Sequence, residues 1–341
     1  MRIGVLTGGG DVPGMNAAIR AVVRRALEYD HKVFAIKDGY RGLIEGEIEL
    51  LTKEAVSEIF YVGGTILGSS RTNPLKREGG LKKCLGNIEE FGLGALVAIG
   101  GDDTLGVAYE LYKRGVPVVG IPKTMDNDVC GTDQCIGFDT AVARVVEALD
   151  ELRTTARSHH RVFVLEVMGR HAGWVATVGG IGGGADLTLI PEVPSSLDAV
   201  CKHVERRWEE GERFSLILAS EAAQIEGMPT RKMEKVDEFG HTYLVKRQLG
   251  PTLTKQIEKR TGKASRCVVL GHIQRGGSPT VFDRVLATRA GVKAVDMIEE
   301  GKFGYMAALK GNQIVPVELE KAAGCTRQVD LELYRLTQTF Y

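Results

Sequence analysis

The residues best placed for chemistry lie in loops that each follow a short apolar run. The first, Gly8-Gly9-Gly10-Asp11-Val12-Pro13-Gly14, precedes a helical pattern that begins near Asn16. Glycines in such a turn free backbone N–H groups to approach phosphate oxygens, and a helix N-terminus adds positive potential. The loop is neither a Walker A sequence nor a dinucleotide fingerprint, and by itself it serves equally well as a tight structural turn. A closer match to the dinucleotide pattern, Gly180 to Ala185, precedes a strand, which is the wrong order for that role. The second loop, Gly100-Gly101-Asp102-Asp103-Thr104, sets two carboxylates beside glycines at a strand end. That suits a magnesium ion held through one carboxylate while phosphates supply the remaining oxygens. The competing use is a helix N-cap by Asp103 or Thr104.

The third loop, Pro122-Lys123-Thr124-Met125-Asp126-Asn127-Asp128, offers a carboxylate that can accept the proton of a hydroxyl attacking phosphorus. A fourth group is basic. Arg161 opens one apolar run, Met168-Gly169-Arg170 closes it, Glu221 ends another, and Gly271-His272-Ile273-Gln274-Arg275-Gly276-Gly277 ends the last. Guanidinium forks match phosphate oxygens, so this set fits a phosphate monoester, although any one member alone reads as a surface ion-pair partner.

These loops need strands to position them. Apolar, β-branched-rich runs recur at Ile3–Leu6, Ala95–Ile99, Val116–Ile121, Val162–Val167, Phe214–Ala219 and Cys267–Leu270, with helical patterns between. The alternation predicts doubly wound parallel sheets, in which ligands bind beyond the carboxyl ends of strands. A chain of 341 residues predicts two such domains. We place the first at residues 1–137 with 275–324 and the second at 138–274 with 325–341. The polar stretch Gln224–His241 reads as an insertion or mobile loop. Lys plus Arg and Asp plus Glu both number 44, so bulk charge argues for no nucleic-acid or membrane partner. The six cysteines form no C-x-x-C pair, a chain this size needs no staples, and a reduced, cytoplasmic setting fits. There is neither a signal-peptide pattern nor an apolar run of membrane-spanning length.

The loops together, with Met15-Asn16-Ala17-Ala18-Ile19-Arg20 after the first, resemble the signatures of the phosphofructokinases, in order, from residue 1 to beyond residue 290. The resemblance implies two Rossmann-like α/β domains with the active site in the cleft between them. It makes Asp126 the general base toward the sugar 1-hydroxyl, supported by Asp128, and Asp102 the magnesium carboxylate. Gly9, Tyr40, Arg71, Asp103, Thr104 and Lys123 fall around the phosphoryl donor, with Arg71 close to the transferring group. Thr124, Met168, Gly169, Arg170, Glu221, His272 and Arg275 fall on fructose 6-phosphate. Arg161 and Arg266 match residues that the family donates from a neighbouring subunit, which implies a homodimer or homotetramer with shared sites.

Two positions bear on the donor. ATP-using bacterial members have Gly where this chain has Asp103 and Gly where it has Lys123. An Asp adds bulk and negative charge where the α-phosphate of a nucleotide would lie, and Lys123 supplies a cation for a shorter donor. The pair looks like the marker of the pyrophosphate-dependent branch, with Asp103 discriminating, since some ATP users also carry the lysine.

Overall fold

In the computed structural model, which describes residues 1–228, 238–239 and 248–339, the apolar runs become two separate parallel sheets. The chain begins β1 (Arg2–Thr7), α1 (Met15–Glu28), β2 (Lys32–Ile36), α2 (Tyr40–Glu45), β3 (Ile48–Leu51), α3 (Gly80–Glu90), β4 (Ala95–Gly100), α4 (Asp102–Tyr112) and β5 (Val118–Pro122). It continues α5 (Phe138–His159), β6 (Val162–Val167), α6 (Trp174–Gly183), β7 (Leu187–Leu189), β8 (Ser195–Ser196), α7 (Leu197–Glu209), β9 (Ser215–Ser220), β10 (Ile225–Glu226), α8 (Leu249–Thr261) and β11 (Ser265–Val269). It ends α9 (Val281–Glu299), β12 (Tyr305–Lys310), β13 (Gln313–Glu318) and α10 (Leu331–Thr339).

Two units share these elements. The first comprises Met1–Thr140, Val236–His241 and Arg275–Thr326; the second comprises Ala141–Lys235, Thr242–Gln274 and Arg327–Tyr341. The first unit holds a seven-stranded sheet in the order β13-β12-β5-β4-β1-β2-β3. Its inner strands are parallel, and the edge strands β3 and β13 pair antiparallel with their neighbours. β4 is buried along its whole length because both faces of the sheet are covered. Alternation along β1 and β4 sends Ile3, Val5, Val97 and Ile99 into the cluster shared with α1 and α9, while Leu6, Leu96 and Ala98 join the cluster under α4. The second unit carries a four-stranded parallel sheet, β11-β6-β9-β7. The Gly180–Gly183 run that mimics a dinucleotide loop is the end of α6, capped by Gly184.

Chain order and spatial order together locate the crevices. β2 lies on one side of β1 and β4 on the other, so the winding reverses between β1 and β4. The loops after these two strands therefore open a crevice at their carboxyl ends. In the second unit, β9 and β11 flank β6, so the loops after those three strands gather in the same way.

The cysteines depart from the expectation. Cys130 and Cys325 are joined by a disulfide across 195 residues of sequence, with Cα atoms 5.9 Å apart. The neighbouring residues Val129 and Thr326 form an antiparallel bridge, and this pairing brings the two thiols within bonding span. Cys84, Cys135, Cys201 and Cys267 are not disulfide-bonded. Most of the polar Gln224–His241 stretch lies outside the described residues.

Candidate active site

At the crevice of the first unit the glycines serve packing as much as backbone exposure. A Cβ at Gly8 would stand 2.4 Å from the Thr104 hydroxyl, and one at Gly100 would stand 2.2 Å from the Thr104 Cβ. Only glycine at both positions lets the Thr104 side chain lie between the two loops, where it is buried. The amides of Gly8 and Gly9 are engaged by the carbonyls of Ile99 (3.0 Å) and Ser70 (3.1 Å), and so differ from the free phosphate donors expected of them. Gly10 yields to Arg275: a Cβ there would be 2.5 Å from the guanidinium, which donates to the Asp11 carbonyl at 3.1 Å. Arg275, expected on the sugar phosphate, thus lies against the glycine loop of its own unit. Tyr40 is buried and donates to the Thr104 carbonyl at 2.9 Å, so it braces α4 from behind.

Lys123 lies inside this arrangement. Its ammonium donates to the carbonyls of Gly8 (2.9 Å) and Gly10 (2.7 Å), which uses two of its three N–H groups. Burial, together with the nearby Arg275 cation, holds its pKa down at about 8, against the pull of the Asp11 and Asp102 carboxylates. The ammonium therefore loses its proton as pH rises through about 8. If Lys123 attracts an anionic donor, kcat/KM for that donor, which reports the free enzyme, falls above about pH 8. Steady-state rates across the pH range at saturating sugar phosphate measure this, and a profile flat beyond about pH 9.5 contradicts it.

Asp102 and Asp103 form the first turn of α4, favourably placed for its N-terminal dipole, but neither caps it: Gly101 occupies the cap position without a side-chain bond. A capping preference therefore does not account for Asp103. Among the described residues no group of three or more His, Cys, Asp and Glu side chains gathers into a metal centre. A single carboxylate such as Asp102 would suffice for a magnesium ion whose remaining oxygens came from phosphates.

After β5 the chain turns sharply at Asn127, whose φ of 53° lies in the left-handed region that Asn tolerates. The turn is fixed because the Cys135 amide donates to Asn127 Oδ1 at 2.9 Å. On one side of it the Asp126 amide donates to the Thr124 hydroxyl at 3.1 Å. Asp128, on the other side, is buried. Asp126 Oδ1 is buried and has no hydrogen-bond partner among the described residues. A buried acceptor without a partner costs about 1–3 kcal/mol, which a substrate hydroxyl would recover. Farther along, fully buried Asp283 of α9 accepts from the amides of Gly137 and Thr140 and from the Thr140 hydroxyl; burial pushes its pKa up to about 6. Arg71 is exposed in the loop that follows Ser69 and Ser70, which bond to the Gly9 and Asp38 carbonyls.

In the second unit, Met168, Gly169 and Arg170 follow β6, Glu221 follows β9 and exposed His272 follows β11, all at strand carboxyl ends. Two residues to which the motifs assigned no role hold this loop. The fully buried Gln274 accepts from the Met168 amide at 2.8 Å, and Ser220 donates to the Gly169 carbonyl at 3.0 Å. Arg161 and Arg266 are elsewhere. Arg161 precedes β6, and Arg266 pairs with Phe163 near the start of that strand. The length of β6 puts them roughly 20 Å from Met168, at the opposite end of the strands.

Residues 2–298 match the phosphofructokinase family. The chain belongs to this family. It is 48% identical, over all of its own length and 99% of the relative's, to a pyrophosphate–fructose 6-phosphate 1-phosphotransferase of Dictyoglomus thermophilum. An ATP-dependent 6-phosphofructokinase of Corynebacterium efficiens is 44% identical over 100% of this chain and 99% of that one. The crystal structure of a pyrophosphate-dependent phosphofructokinase from Marinobacter aquaeolei superposes with a TM-score of 0.84, covering 97% of this chain and 86% of that one at 24% identity, a likeness of fold. Relatives of both donor types thus span this phosphofructokinase end to end, and the choice between donors turns on individual positions.

Proposed function

We propose that this chain is a pyrophosphate-dependent 6-phosphofructokinase, which transfers a phosphoryl group reversibly between diphosphate and the 1-hydroxyl of fructose 6-phosphate, giving fructose 1,6-bisphosphate and phosphate. The observation that carries the transfer chemistry is the buried, unpartnered Asp126 oxygen, in the same strand-end loop as the Lys123 ammonium that holds the glycine loop. Asp126 takes the proton of the 1-hydroxyl as its oxygen attacks phosphorus, and Asp128 supports it. Lys123 holds the glycine loop and turns its third N–H group to the donor, and Arg71 neutralises charge on the transferring group. The first unit takes the donor, through Gly9, Tyr40, Arg71, Asp103, Thr104 and Lys123, with Tyr40 and Thr104 acting from behind. The second takes the sugar phosphate through Met168, Gly169, Arg170, Glu221 and His272. Magnesium, held by Asp102 and donor oxygens, would offset the negative charge of the phosphates.

Arg161 and Arg266 lie at the wrong end of their strands to join Arg170 in one site. This supports a homodimer or homotetramer in which each reaches a neighbour's sugar phosphate. No helix among the described residues is long and apolar enough to cross a membrane. We infer an enzyme of glycolysis or gluconeogenesis.

The donor reading rests on Asp103, a carboxylate in the first turn of α4 that helix capping does not explain. Two unit charges 4 Å apart repel by about 4 kcal/mol at an effective dielectric constant of 20. Partial exposure of Asp103 reduces that figure, and 1.4 kcal/mol already corresponds to about tenfold. Asp103→Gly is therefore expected to raise kcat/KM for ATP by about tenfold or more and to leave fructose 6-phosphate KM near its wild-type value. Unchanged or lower ATP use in a folded variant would count against this role.

A further inference from the structure

The loop that bears Arg71 is anchored twice, and the second anchor comes from a distant part of the chain. On its leading side, Ser69 donates to the Gly9 carbonyl at 2.6 Å, Ser70 donates to the Asp38 carbonyl at 2.7 Å, and Ser70 bridges Gly8. On its trailing side, Glu238 accepts from the Asn73 amide at 2.9 Å and from the Arg77 guanidinium at 2.8 and 3.3 Å. Only Arg71 and the buried Thr72 lie between the anchors. Glu238 is 161 residues from Arg77 in sequence, and its neighbour Phe239 packs on the apolar cluster beneath α3 and α4. A forked ion pair that also captures a backbone amide fixes direction as well as position. Helix capping, core packing and surface solubility leave this three-bond contact to one carboxylate unexplained.

We propose that Glu238 is a positioning residue for Arg71: by clamping Asn73 and Arg77 it fixes the backbone from which Arg71 reaches the transferring phosphoryl group. The proposal rests on the role given to Arg71 above and adds a residue that no sequence motif marks.

The test is a double-substitution cycle, with rates measured using whichever phosphoryl donor the wild-type protein turns over. A displacement of about 1 Å in a positioning group costs on the order of 100-fold, so Glu238→Ala is expected to lower kcat by about 10- to 100-fold with fructose 6-phosphate KM little changed. Glu238→Gln keeps an oxygen for the Asn73 amide and is expected to recover most of the rate. In an Arg71→Ala background, Glu238→Ala should have almost no further effect, because the two act as one unit. Hydrogen exchange at the Asn73 amide should quicken in Glu238→Ala, whatever the activity. Full activity of Glu238→Ala, equal losses in both backgrounds, or unchanged exchange at Asn73 would each overturn the proposal. Absence of turnover by the wild-type protein with either donor would instead strike at the proposed function, and the exchange measurement would still decide whether Glu238 holds the loop.

Discussion

Asp126→Asn is expected to lower kcat by about 10²- to 10⁴-fold, the range for loss of a positioned general base. The substitution keeps the shape of the side chain and leaves the backbone bond to Thr124 and the Asn127–Cys135 contact untouched. What it removes is basicity at a buried oxygen that has no partner among the described residues. Substrate KM should therefore change little, because the lost interaction belongs to the transition state. Stability separates this from a structural role. The unpartnered Oδ1 is a cost in the unliganded protein, so the Asn variant should melt at or above the wild-type temperature. A variant with near-normal kcat, or one that loses activity only because it melts earlier, would remove Asp126 from the chemistry.

The second large effect concerns the Cys130–Cys325 bond. It closes a segment of 195 residues, and the chain-entropy relation gives about 5 kcal/mol of stabilisation for a loop of that length. Cys130 lies two residues beyond Asp128, and Cys325 lies at the end of the first unit, two residues before Arg327. In the second unit that following segment packs on the start of α6: the Arg327 guanidinium stacks 4.2 Å from the Trp174 ring centroid, and Trp174 donates to the Arg327 carbonyl at 3.0 Å. Both cysteines are partly exposed, so a small dithiol can reach the bond and reduce it to two thiols while itself becoming a cyclic disulfide. Reduction, or Cys130→Ser, is expected to lower the melting temperature by on the order of 10 °C. Coincident melting curves with and without dithiothreitol would show that the bond contributes nothing. The same comparison, run as an activity assay, reports how the enzyme fares in a reducing compartment.

How much of this was legible in the sequence follows from where the physics is local. Each of the six apolar runs chosen as strands overlaps a strand, with Val116, Pro117, Phe214 and Leu270 falling outside, because strands buried on both faces appear as unbroken apolar stretches. β2 was passed over because five residues with a leading Lys make a weak signal, and β12 because Met and Ala carry little β-propensity. β13 contains Pro316, which an edge strand accommodates and an inner one does not. The acidic loops were legible because residue type and strand-end position together imply a crevice. Contacts between residues distant in sequence were not. Nothing near Cys130 points to Cys325, nothing near Asn73 points to Glu238, and the burial of Gln274 against the Met168 amide appears only once β6 and β11 pair. The roles of Tyr40 and of the Gly8 and Gly9 amides shifted for the same reason, since their partners, Thr104, Ile99 and Ser70, come from other strands and loops.

The account turns on which phosphoryl donor the folded protein accepts. Purified enzyme given fructose 6-phosphate and magnesium, with pyrophosphate or ATP offered separately at equal concentration, answers this through the rate of fructose 1,6-bisphosphate formation. The account predicts rapid turnover with pyrophosphate, reversal on addition of phosphate, and ATP rates lower by about tenfold or more. A preference for ATP in the unmutated protein would contradict it.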